Sequence, residues 1–105
     1  VFNMKLLIVT CIKEHQQNVS SIFKETGIQV FSISEISGYK QGGQDMISQN
    51  WFGGSGETFE SLMLFSFTEE EKAAAAIKLI EECNKNESNG FPIRGFVLPV
   101  ERFSV

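Results

Sequence analysis

Two stretches of this chain are apolar on both sides of an alternating pattern, and that property limits the folds open to it. In Lys5–Ile12 (KLLIVTCI), Leu6, Ile8 and Thr10 form one alternating set and Leu7, Val9 and Cys11 the other. In Phe59–Phe67 (FESLMLFSF), Phe59, Met63, Phe65 and Phe67 share one face with Ser61, while Leu62 and Leu64 take the other. A strand facing water on one side alternates apolar with polar residues; strands like these need cover on both faces.

The segments between them supply cover for one face only. From Glu14 to Thr26 the period changes, with Val19, Ile22, Phe23 and Thr26 at helical spacing and Gly27 in the position that ends a helix. Ile28 to Ile36 returns to strand character, Phe31 and Ile33 facing one way and Ser32, Ser34 and Ile36 the other. Thr68-Glu69-Glu70-Glu71 reads as a capping box opening a second helix, which runs to about Lys85 with Ala73, Ala76, Ile77, Ile80 and Cys83 as its buried stripe. Arg94 to Phe103 forms the last strand, and Pro99 within it argues for an edge. The order β-α-β, loop, β-α-β is a doubled split βαβ unit, so residues 1–105 are expected to form a single α+β, ferredoxin-like domain with a four-stranded antiparallel sheet. Both helices lie on one face of that sheet. The other face, also apolar, is left for further copies of the chain.

Between the two halves lies Gly38–Glu57 (GYKQGGQDMISQNWFGGSGE), which holds six of the nine glycines and the only Tyr and Trp. Connections in compact domains are mostly about 2–6 residues long, so a loop of this length is expected to be working and mobile. Trp51 and Phe52, set among glycines, suit anchoring in a partner protein's pocket. The glycines do not form a phosphate-binding P-loop, because Lys40 is followed by Gln41 with no helix behind it.

Composition removes several function classes. With 13 acidic against 9 basic residues and a net charge of -4, the chain has no basic face for nucleic acid. One His (His15), one Asp (Asp45) and two cysteines, Cys11 and Cys83, give no nucleophile–base pair, so no enzyme is expected. The cysteines read as two buried free thiols and His15 as a solvated residue near a helix start. No metal-ligand spacing occurs, and no apolar run is long enough for membrane insertion, which points to a cytoplasmic protein. Arg94, one of two arginines, follows a Gly-Phe-Pro turn and carries a fork suited to phosphate or carboxylate.

Three of these stretches resemble one family. TGIQVFSISEISGYKQGG is similar to the segment leading into the T-loop of the PII nitrogen-regulatory signal proteins and their PII-like relatives. RGFVLPVERF resembles the strand after that family's B-loop, and MKLLIVTCIKE its first strand. The resemblance implies a homotrimer with the sheets facing inward. It implies signalling without turnover, an effector such as an adenine nucleotide bound in the cleft between subunits, and a T-loop-like segment at about 38–57 that docks on a transporter or enzyme. Carried over by position, Ser32, Ser34, Gly38 and Tyr39 at the loop base and Arg94 in place of the B-loop lysine become ligand-binding residues. The likeness departs at NESNGFPIRGF, which stands where the family has a glycine-rich phosphate loop, and Tyr39 lies at the base of the loop rather than its tip. The alternative is a metal-associated trimer, CutA-like or linked to metal efflux, that binds divalent cations.

Overall fold

The computed structural model describes residues 3–39, 58–86 and 90–104. Strand β1 (Met4–Ile12) leads through a 3-10 turn (Lys13–His15) into helix α1 (Gln16–Glu25). Strand β2 (Ser32–Tyr39) and strand β3 (Thr58–Glu69) follow, then helix α2 (Glu70–Lys85) and strand β4 (Arg94–Pro99). The four strands form one sheet in the order β2-β3-β1-β4, with every neighbouring pair antiparallel. This is the ferredoxin-like arrangement, and it carries β2 and β4 on the edges.

Helix α1 forms because Val19, Ile22 and Phe23 recur at helical spacing and are buried together. It ends where a left-handed residue is required: Gly27 has φ +82°, its N–H donates to Lys24, and the Ile28 N–H donates back to Phe23 over 2.8 Å. This pairing satisfies carbonyls the helix leaves open and brings Ile28 against Phe23. In α2, Ala73, Ala76 and Ile80 are the buried stripe, with Ile77 and Cys83 packed beside them. The core lies between the helices and one sheet face, where Leu7, Val9, Cys11, Leu62 and Leu64 are essentially inaccessible to water.

Four sequence expectations shift. Strand β2 begins at Ser32, not Ile28, because the Gly27 turn carries residues 28–31 past the sheet edge. There Ile28 is buried and Phe31 meets the Phe23 ring edge-on at 4.8 Å. Thr68 does not open a capping box: it lies in β3 paired with Lys5, and Glu69 caps α2 without a side-chain bond. Strand β4 stops at Pro99: its ladder with β1 ends at the Lys5–Pro99 pair, followed by the Val100 N–H bond to the Met4 carbonyl. Cys83 is half-buried rather than enclosed, and both cysteines are free thiols. No helix among the described residues is long and apolar enough to cross a membrane.

Candidate functional site

The helix-free face of the sheet is built in rows by the strand register. Cross-strand partners in an antiparallel pair project to the same side. One row runs Ser32, Phe65, Ile8, Phe96, and the next Ser34, Met63, Thr10, Arg94. Towards the far end stand Phe67, Leu6 and Leu98, with Phe67 57% and Leu98 42% exposed. The polar row of Ser34, Thr10 and Arg94 is therefore set between this apolar end and a further row, Ile36, Ser61 and Ile12, nearer the 40–57 segment.

Ser34 and Arg94 thus occupy one row and one face at opposite edges of the sheet. Three strand spacings of about 4.8 Å separate them by roughly 14 Å, too far for one small ligand to touch both within a subunit. Arg94 is aimed to this side because its successor, Gly95, faces α2: a Cβ there would stand 2.7 Å from Ile77 Cδ1. The Arg94 Nε is buried and has no hydrogen-bond partner among the described residues. Ser32 and Ser34 are exposed along the β2 edge. Gly38 and Tyr39, expected within the loop, extend β2 instead and pair by backbone with Phe59 and Thr58. Trp51 and Phe52 lie outside the described residues.

The turn before Arg94 is held from two sides. The Asn84 Nδ2 donates to the Ile93 carbonyl over 2.8 Å while its Oδ1 accepts the Ile93 N–H over 2.9 Å. His15, expected at the surface, is 4% exposed: its Nε2 lies 3.1 Å from the Phe91 carbonyl and its Nδ1 3.4 Å from the Asn18 side-chain nitrogen. The 3-10 turn places it there, rolling the ring under the Phe91–Pro92 turn instead of outward. A ring protonated at Nε2 satisfies both contacts, donating to Phe91 and accepting from Asn18. Among the described residues no group of three His, Cys, Asp or Glu side chains could hold a metal ion.

At the loop base, the Lys13 Nζ lies 3.6 Å from Glu35 on β2 and 3.7 Å from Glu60 on β3. The Lys13 side chain thereby links both strands that carry the 40–57 segment, although its exposure keeps each pair weak. A cavity of about 230 Å³ opens at the Ser32 end of β2, between Gly27–Val30 and Ser66–Glu69 with Lys72 beside it. The Ser66 hydroxyl closes one wall by donating to the Val30 carbonyl over 2.6 Å. None of the residues proposed from the sequence lines this cavity. The bonds of Asn84 and His15 to the turn before Arg94 were not read from the sequence: an Asn at a helix end and a lone His do not show which distant carbonyl they will meet.

The fold and this face define a class of small ferredoxin-like protein with helices on one sheet face only and a long insertion between its second and third strands. The sequence pattern of the nitrogen regulatory protein P-II family matches residues 4–105, and the chain belongs to that family. A protein of the DUF3240 family from Shewanella baltica OS155 is similar in structure with a TM-score of 0.67 at 14% identity, covering 100% of this chain and 98% of that one. CPII, a nitrogen regulatory PII-like protein from Thiomonas intermedia K12 bound to ADP, AMP and bicarbonate, gives 0.62 at 16% identity over 95% and 93% of the two chains. Arabidopsis thaliana PII bound to citrate gives 0.59 at 16% identity over 94% of this chain and 78% of that one. No curated protein matches the sequence significantly.

Proposed function

We propose that this is a non-enzymatic, cytoplasmic PII-like signalling protein that assembles as a trimer through the bare sheet face. It binds a small anionic effector where the β2 edge of one subunit meets the β4 edge of the next, and it controls a partner transporter or enzyme through residues 38–57. An adenine nucleotide is the first candidate effector. The observation that carries the reading is the placement of Ser34 and Arg94 on one row at opposite edges, with the Arg94 Nε buried and unpartnered among the described residues. Edge residues of this kind form one site only across a subunit boundary. An unpaired guanidinium N–H is costly unless an anion completes it. Family membership and the nucleotide- and citrate-bound neighbours support the same reading.

Calorimetric titration with ATP, ADP, AMP, bicarbonate and citrate tests it. Arg94→Ala is expected to weaken the ligand that binds by roughly 1.5–3 kcal/mol, about 10- to 150-fold in Kd. An affinity unmoved by Arg94→Ala would return Arg94 to the role of an ordinary edge residue and sink the proposed site.

A further inference from the structure

We infer that Asn84 and His15 are positioning residues for Arg94, forming a two-point clamp that sets the turn from which its guanidinium is presented; this rests on Arg94 being the effector-binding cation. The peptide unit joining Ile93 to Arg94 carries the Ile93 carbonyl, and that carbonyl is the acceptor of the Asn84 Nδ2. The same side chain accepts the Ile93 N–H, so one planar amide grips both polar groups of a single residue. This is the pairing a neighbouring strand would supply, delivered by the last turn of a helix. Rotation of the peptide plane entering Arg94 breaks the bond to the Ile93 carbonyl, and rotation of the plane before it breaks the bond from the Ile93 N–H, so both planes flanking Ile93 are held by one side chain.

His15 holds the other end of the turn. Its Nε2 meets the Phe91 carbonyl, and the next residue, Pro92, has a fixed φ and no N–H of its own. Phe91 and Ile93 are therefore tied to different elements, the 3-10 turn after β1 and the end of α2, with the stiff Pro92 between them. Ile93 itself is 2% exposed, within the core cluster. Arg94 leaves this anchored unit as the first residue of β4, directly opposite Thr10. The cost of ordering the backbone that presents Arg94 is met in advance by the clamp, which is how preorganisation raises affinity.

The Arg94 Nε–H provides the test, because it is buried and the chain has only one other arginine, Arg102. In the 15N-labelled full chain, Arg102→Lys assigns the remaining arginine Nε–H signal to Arg94. Asn84→Ala is expected to speed exchange of that proton with water by roughly tenfold or more, while the Val9 and Leu64 amides in the central strands keep their protection. Asn84→Asp, which keeps the acceptor but cannot donate to the Ile93 carbonyl, should give an intermediate rate, and His15→Ala a rise of its own. Arg94 exchange that stays at the wild-type rate in all three variants overturns the clamp. So does exchange that rises only in step with Val9 and Leu64, since that is general loosening. A separate AMP titration distinguishes the two ideas: an intact clamp with AMP binding indifferent to Arg94→Ala would leave the turn geometry standing and remove the effector site.

Discussion

Among the described residues, Cys11 is the one whose acid–base chemistry departs furthest from its ordinary behaviour. It sits on the helix-facing side of β1, fully enclosed, and burial pushes its thiol from 9.0 up to about 11. Between those values the unfolded chain gives up this proton and the folded chain keeps it. The thiol's contribution to stability is thus complete below pH 9 and is lost as pH rises through 11, a change of roughly 2–3 kcal/mol. Urea unfolding at pH 8 and at pH 10.5 should show a larger fall in stability for the wild type than for Cys11→Val, which cannot ionise. Equal falls in the two proteins would mean that water reaches the thiol. The burial of Cys11 was readable in advance, because it stands in a strand apolar on both faces. The burial of His15 was not: its hydrogen-bond partner, Phe91, lies 76 residues away, and no local pattern announces such a pairing.

At the scale of elements, the decisive contact is α2 on β4 through Gly95. A Cβ added there would lie 2.7 Å from Ile77 Cδ1 and 3.1 Å from Ile80 Cδ1, so the helix rests on the strand at the one position lacking a side chain. Gly95→Ala is expected to lower stability by about 1–2 kcal/mol through overpacking, and Ile77→Val, which removes the crowding methyl, should recover part of that loss. A double-mutant cycle in chemical denaturation reads the coupling; strictly additive effects would mean that helix and strand do not bear on each other here. The alternating and helical periods of the chain made the element order legible. Element ends were less so, because partners set them: the ladder with Lys5 takes Thr68 from the helix cap, and the ladder between β1 and β4 ends at the Lys5–Pro99 pair. The candidate site divides similarly. Alternation alone put Ser32 and Ser34 on the face opposite Ile33, whereas the row that Ser34 shares with Arg94 depends on the register of three strand pairs.

For the whole molecule, the question is what covers the helix-free face. Leu6, Ile8, Met63, Phe65, Phe96 and Leu98 stand there together, with Phe67 more than half exposed at one end. An isolated subunit would hold this apolar area against water, and contiguous patches beyond roughly several hundred Å² mark interaction surfaces. Phe65 is the most informative residue to change. It lies in a central strand between Ser32 and Ile8, yet outside the core cluster between sheet and helices, so a charge placed there strikes assembly before it strikes the fold. The wild-type chain is expected to elute with a scattering mass three times its 11.8 kDa, and Phe65→Glu at the mass of one chain with its far-UV circular dichroism retained. The separation is possible because the helix-side core, with Phe23, Leu7 and Leu64 at its centre, does not include this face. A wild-type protein that scatters as a single chain would refute assembly through the sheet, and with it the shared cleft in which Ser34 and Arg94 come together.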